Sequence, residues 1–289
     1  MKPFVTQGEC SMFLITGATG NVGGKLVALL TEQGHDVRAL VRSPATANLP
    51  SGVEVVTGDL DDLDSMTRAA RGTSAIFHMQ ASPQPAQTET LIAAARGAGV
   101  DRIVAMTSIG AVLEPLPIMG TFFRAREDLL RASGLQVTML RPNTLMTNAL
   151  WWCDSIKQAG TVSDPCGEGR LPAVDSDDIA AVAAVTLTRP GHEGRAYILS
   201  GPEALTSREQ VGILADVLGR PITFIENTPA EHAAAHSHGS PQLVPVIENL
   251  YTMFRTGRAG VLTDDIANVT GRRPGTFRAW CERNTGAFR

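Results

Sequence analysis

Phe13-Leu-Ile-Thr-Gly17-Ala-Thr-Gly20-Asn-Val-Gly23-Gly24-Lys25 reads as a buried strand, a glycine turn and a helix start. That arrangement binds a dinucleotide pyrophosphate. Gly17 permits the tight exit from the strand, and Gly20, having no Cβ, lets the backbone come close to a phosphate. Gly23 allows the helix to lie against the sheet, with its free N–H groups and positive dipole end toward the anion. The spacing is G-x-x-G-x-x-G, where the simplest fingerprint is G-x-G-x-x-G. Context therefore carries part of the argument: an apolar strand before the turn, an amphipathic Leu26-Val27-Leu29-Leu30 helix after it, and a second strand over 36–41. The plainer alternative is a strand–turn–helix of some other α/β protein. On the nucleotide reading, Gly17, Thr19, Gly20, Asn21, Val22 and Gly23 hold the cofactor.

Outward from this turn, strands and helices alternate. Apolar runs at 12–16, 37–41, 53–56, 75–79, 103–107 and 137–140 read as buried parallel strands, separated by helical patterns at 21–33, 62–71, 87–97 and 121–132. The alternation predicts a doubly wound parallel sheet of α/β class, with ligands at the edge formed by the loops after the strands. Beyond Pro142 the rhythm loosens. A helix is expected over 147–157, then a glycine-rich stretch at 160–169 and a helix over 175–187. A strand at 196–199 rejoins the sheet, followed by a helix over 206–218, a short strand at 222–225 and further helices. The expected division is a dinucleotide-binding domain over 12–142, with 175–200 returning to it. Segments 143–174 and 201–289 form an interleaved, mostly helical substrate lobe.

Composition narrows the function. The chain of 289 residues is 43% hydrophobic and 19% charged, ordinary for a soluble globular protein. A net charge of −4 gives no electrostatic case for nucleic acid or an anionic membrane. Cys10, Cys153, Cys166 and Cys281 are scattered without a C-x-x-C pair, so neither a disulfide framework nor a zinc site is indicated, and a reducing cytoplasm fits. No apolar run reaches the roughly 18 residues of a membrane helix. The first eleven residues carry one lysine and no long apolar core, and read as a short extension and not a secretory signal. Low lysine with high alanine and arginine points to a GC-rich bacterial genome and a natural-product pathway.

Thr16-Gly-Ala-Thr-Gly-Asn-Val-Gly23, together with Val41-Arg42-Ser43 and Gly58-Asp59-Leu60, resembles the short-chain dehydrogenase/reductase superfamily. Within it the chain looks like the atypical NmrA-like branch, which holds quinone and imine reductases and also non-catalytic redox sensors. The resemblance runs from Met12 to about Asn284. It implies a Rossmann sheet with a small lobe over the nicotinamide end, and a monomer or homodimer. It also implies that Asp59, with Leu60 beside it, meets the adenine, and that the backbone at Met79-Gln80 passes the cofactor ribose. An alternative for Asp59 is helix capping, for which Asp62 is the stronger candidate.

Cofactor choice is read from the end of the second strand. An NAD enzyme usually places an acid there for the ribose 2′-hydroxyl; this chain has Arg42 and Ser43, which suit a 2′-phosphate. NADP(H) is the expected cofactor, the alternative being a solvated arginine.

The proton donor is the open question. The tyrosine-dependent branch places Tyr and Lys four residues apart on one helical face. This chain has only Tyr197 and Tyr251, and only Lys2, Lys25 and Lys157, with no such pair. By resemblance Arg126 stands at the lysine position, Phe122 at the tyrosine position, and Ser108 is the retained serine. Phenylalanine has no proton to give. The acceptor must then already be activated: a quinone, an iminium or an enone held over the nicotinamide. Ser108 and Arg126 are the catalytic candidates, Arg126 as a fixed cation that holds the ribose or polarises an acceptor oxygen. Their alternatives are a serine bonding local backbone and a surface Arg126–Glu127 ion pair. Met119, Phe122, Phe123, Trp151 and Trp152 are candidates for the wall against an aromatic or polycyclic small molecule; adjacent Trp151 and Trp152 cannot both face one core. His78 reads as a packed residue. His232, His236 and His238 invite a metal reading, but a solvated loop is expected and no metal is assigned.

The sequence thus points to an NADP(H)-dependent reductase. Its alternatives are a non-catalytic NADP(H) sensor acting through a protein partner, and an epimerase or cyclase type of the same family.

Overall fold

The computed structural model describes residues 11–80, 82, 84–237 and 239–289. Its first half alternates as expected: β1 (Met12–Ile15), α1 (Gly23–Glu32), β2 (Asp36–Val41), β3 (Glu54–Thr57), α2 (Leu63–Ala70), β4 (Ala75–His78), α3 (Ala86–Ala98), β5 (Arg102–Met106), α4 (Ile118–Ala132) and β6 (Gln136–Pro142). There follow α5 (Cys153–Ala159), β7 (Thr161–Asp164), α6 (Ser176–Thr188), β8 (Ala196–Leu199), α7 (Ser207–Leu218) and β9 (Thr223–Glu226). Four helices close the chain: α8 (Pro229–His236), α9 (Val244–Arg255), α10 (Asp265–Thr270) and α11 (Phe277–Arg283).

Seven parallel strands form one sheet in the order β3-β2-β1-β4-β5-β6-β8. Strand order reverses between β1 and β4, which puts a crevice outside their C-terminal ends. Strand alternation divides the core. Phe13, Ile15, Phe77 and Val104 face α1 and α6, whereas Leu14, Ile76, Ile103 and Ala105 face α2, α3 and α4. Both faces are covered, so the strands read as nearly continuous apolar runs.

The second half differs from expectation in three places. The segment 160–169 contains β7, which pairs in parallel with β9 as a separate two-stranded sheet. Glycines at either end obscured this short strand: Gly160 is the left-handed C-cap of α5, and Gly167 follows the strand with φ +54°. The expected helix over 147–157 is split into a 3-10 segment, Met146–Trp152, and α5. His232 and His236 lie on α8, not in a solvated loop: their rings stack 4.0 Å apart, and His232 is buried against Tyr251. Thr228 and Glu231 form a reciprocal capping box that starts this helix before the histidines. His238 lies outside the described residues. No group of three potential metal ligands occurs among the described residues, and none of their helices is long and apolar enough to cross a membrane.

Candidate active site

The glycine turn after β1 has the form that a phosphate cradle requires. Gly17 adopts φ +65°. A Cβ on Gly23 would stand 2.1 Å from the Gly17 carbonyl oxygen, so only glycine lets α1 start so close to the turn. On Gly20 a Cβ would come within 3.2 Å of the same oxygen. Thr19, Gly20 and Asn21 are exposed, while Val22 is buried and anchors the helix start. The α1 N-terminus has no capping side chain and no acid in its first turn, leaving its N–H groups and positive dipole end for an anion. These features fit a dinucleotide pyrophosphate.

The neighbouring loop is tied to this turn. Thr16 Oγ1 donates to the Met79 carbonyl at 3.0 Å and accepts from the Met79 amide at 2.9 Å. Gln80, next along, turns inward: its amide nitrogen donates to the Ser82 and Gln84 carbonyls, and its oxygen accepts from Thr88. Its side chain is consumed in shaping the loop.

At the outer edge Arg42 and Ser43 are exposed, and Arg42 makes no ion pair among the described residues. Asp59 is exposed and accepts from the Asp61 amide at 3.0 Å; Leu60 leans on the apolar core. Asp62 caps α2 by accepting from Asp64, as expected.

On the other side of the crevice, Ser108 follows β5 and accepts from the Gly110 amide at 3.1 Å, opening a 3-10 turn. Its hydroxyl hydrogen is not used by that contact. Gly120 packs the first turn of α4 against this turn: a Cβ there would be 2.3 Å from the Gly110 carbonyl oxygen. Sequence reading missed Gly120, because a glycine inside a helix has no local signature when its purpose is a tertiary contact.

Arg126 is not on the surface. It is 2% exposed, and Glu127 beside it is fully buried, but the two do not pair. Glu127 accepts from Arg141 Nε and Nη2, from Arg131 Nη2 and from Thr107 Oγ1. Arg126 donates through Nη2 to the Met106 carbonyl at 3.3 Å and lies over the Phe123 ring, 5.3 Å from its centre. It forms no ion pair among the described residues. Burial lowers its pKa from 12.5 to about 10, against the pull of the Glu127 charge, so it stays cationic at neutral pH. The surface-pair alternative is therefore corrected.

Met119, Phe122 and Phe123 are half-buried and join none of the buried apolar cores. The tryptophans divide as their adjacency requires. Trp151 is 73% exposed; Trp152 packs against a separate apolar cluster that includes Met146, Ile156 and Trp280. Of the two tyrosines, Tyr197 is bonded to His192 at 2.8 Å, and Tyr251, on α9, stands against His232 of α8.

Comparison with known proteins agrees with this geometry. A family model described as NAD(P)H-binding matches residues 17–190. Over 281 residues the chain is 38% identical to the (4-alkanoyl-5-oxo-2,5-dihydrofuran-3-yl)methyl phosphate reductase of Streptomyces griseus, covering 96% of this chain and 99% of that protein. It is 32% identical to the NAD(P)H azoreductase of Xenophilus azovorans, over 96% and 99% of the two chains. A solved NADPH complex of the Escherichia coli NADPH-dependent quinone oxidoreductase superposes with a TM-score of 0.84 at 25% identity, over 95% of this chain and 100% of that one. The chain belongs to the NAD(P)H-binding, NmrA-like branch of the atypical short-chain dehydrogenases/reductases. It is an NAD(P)H-dependent oxidoreductase.

Proposed function

We propose that the protein is an NADPH-dependent reductase of a conjugated acceptor, an enone or quinone whose carbonyl makes the double bond electron-poor. The single observation that carries this reading is Arg126: a buried cation on α4, bonded to the C-terminal end of β5, that forms no ion pair among the described residues and whose own helix has no tyrosine at the expected place. The relative whose name specifies an acylated dihydrofuranone supports an enone activated by two carbonyl groups.

When bound, the cofactor supplies a hydride to the acceptor carbon β to the carbonyl. The electron pair of the double bond then moves onto the carbonyl oxygen. In a site shielded from water, the positive field of Arg126 stabilises that developing negative charge, and the Ser108 hydroxyl donates to the same oxygen. Solvent protonates the neighbouring carbon afterwards. Gly17, Thr19, Gly20, Asn21, Val22 and Gly23 hold the pyrophosphate, Arg42 and Ser43 the 2′-phosphate, Asp59 and Leu60 the adenine, and the Met79-Gln80 backbone the ribose. Met119, Phe122 and Phe123 form the acceptor wall, with segments 143–174 and 201–289 as the lobe above it. Trp151 stands at its rim, and Trp152 holds the lobe's own core.

Single-turnover absorbance at the NADPH band tests this. Oxidation should follow addition of a 2-acyl butenolide or a quinone, but not a simple ketone. NADPH that stays reduced with every conjugated acceptor, with a protein partner that distinguishes NADP+ from NADPH, would establish a sensor instead.

A further inference from the structure

On the sheet face covered by α3 and α4, His78 Nδ1 and Arg126 Nε are buried nitrogens with no hydrogen-bond partner among the described residues. Their chemistry is complementary. Gln80 Nε2 donates to the Ser82 and Gln84 carbonyls at 2.8 and 2.9 Å, so Gln80 Oε1 must be the acceptor toward Thr88 Oγ1, at 2.7 Å, and His78 Nε2, at 3.0 Å. His78 therefore carries its proton on Nε2, leaving Nδ1 as a lone pair, whereas Arg126 Nε can only donate.

Placement agrees. His78 shares its face of β4 with Ile76, and lies opposite Ala105 in the β4–β5 ladder. Arg126 bonds the carbonyl of Met106, the next residue along β5. The Arg126 charge reaches His78, where it opposes protonation after the larger effect of burial. One long hydrogen bond and one ring contact do not fix the plane of a guanidinium; a third contact does.

We propose that His78 is a positioning residue for Arg126: its Nδ1 lone pair accepts from Arg126 Nε–H through one bridging water, and aims the guanidinium at the acceptor. This rests on the reading of Arg126 as the charge that faces the acceptor.

Two substitutions separate the branches of the His78 ring. Asn places an amide oxygen near the position of Nδ1, and Gln places an amide nitrogen near Nε2. If His78 acts through Arg126, His78→Gln should lower kcat about tenfold with KM for the acceptor and Kd for NADPH little changed, whereas His78→Asn should restore most of the rate. The Arg126 Nε–H resonance of the cofactor-free protein, assigned with Arg126→Met, should move in His78→Gln and not in His78→Asn. Equal losses in both variants, no loss in either, or loss in His78→Asn alone would overturn the proposal. So would a wild-type His78 whose nitrogen shifts place the proton on Nδ1, a measurement that needs no variant to fold. An Arg126→Met protein with full turnover would instead refute the role of Arg126, while the resonance still reports the pairing.

Discussion

Glu127 on α4 receives a two-pronged hydrogen bond from Arg141 on β6, Nε to Oε1 at 2.9 Å and Nη2 to Oε2 at 2.7 Å. Thr107, the residue just after β5, donates to the same carboxylate at 2.8 Å. This joint locks the helix carrying Arg126 to the strand end carrying Ser108. Burial works to raise the Glu127 pKa, but the hydrogen bonds and the charges of Arg141 and Arg131 outweigh it, so its carboxyl titrates below the usual range. Removing one partner of a buried pair costs about 3–5 kcal/mol where the other charge is left uncompensated; Glu127 keeps Arg131 and Thr107, so losing the two Arg141 hydrogen bonds falls toward the lower end of that range. Arg141→Met should therefore lower the urea midpoint strongly. Replacing both, as Glu127→Leu with Arg141→Met, should recover much of the loss. Equal stability of the single variant and the parent would show that the pair is not the joint described.

Acid should destabilise the fold early. Burial pushes the His78 pKa down from 6.5 to about 4. Between those values the unfolded chain binds the proton and the folded chain does not, so stability falls as pH falls, by up to ~3 kcal/mol. Glu127 acts in the same direction lower down: its contribution is complete above its unfolded pKa and is lost as pH drops through the folded value. Urea unfolding from pH 7 to pH 4 should show a steady loss, reduced in His78→Gln. A flat profile in the parent would contradict the burial of a neutral histidine.

Arg42 should select the cofactor. Losing one charge-assisted contact to a phosphate costs about 1.5–3 kcal/mol, so Arg42→Ala should weaken NADPH by roughly tenfold or more and leave NADH nearly unchanged. Fluorescence titration of both cofactors measures this. Equal affinities in the parent would remove Arg42 from the site.

The glycine turn offers a paired test. Gly20→Val should abolish cofactor binding in a folded protein, since the new side chain would enter the space proposed for the pyrophosphate. Gly23→Ala should instead destabilise the fold, because its Cβ would collide with the Gly17 carbonyl, backbone that cannot swing aside. Calorimetry with and without NADPH distinguishes the two. A folded Gly20→Val protein with normal affinity would place the pyrophosphate elsewhere.

Tyrosine should be dispensable for the chemistry. Tyr197→Phe and Tyr251→Phe should keep kcat within a few-fold, whereas loss of a true general acid costs about 100-fold or more. Trp152→Ala should lower the melting temperature, since its ring packs against the apolar cluster around Ile156 and Trp280. Trp151→Ala should leave stability unchanged and is read by acceptor KM.

The sequence by itself determined the sheet, the glycine turn after β1 and the cofactor class. Buried parallel strands are apolar on both faces, and a phosphate turn needs glycine at fixed offsets, so both are written locally. The same holds for the Asp62 cap and for strand β8, whose expected bounds match those observed. Only the tertiary structure decided which charges face water. Arg126-Glu127 reads identically as a surface pair or as two buried ions with different partners, because Arg141 arrives from β6 and Thr107 from the loop after β5. Trp151 and Trp152 could be separated only once the 3-10 segment fixed which side met the apolar cluster around Ile156 and Trp280. The β7–β9 sheet was hidden for the same reason: four residues among glycines become a strand when a partner some sixty residues away pairs with them, and that pairing energy is not local.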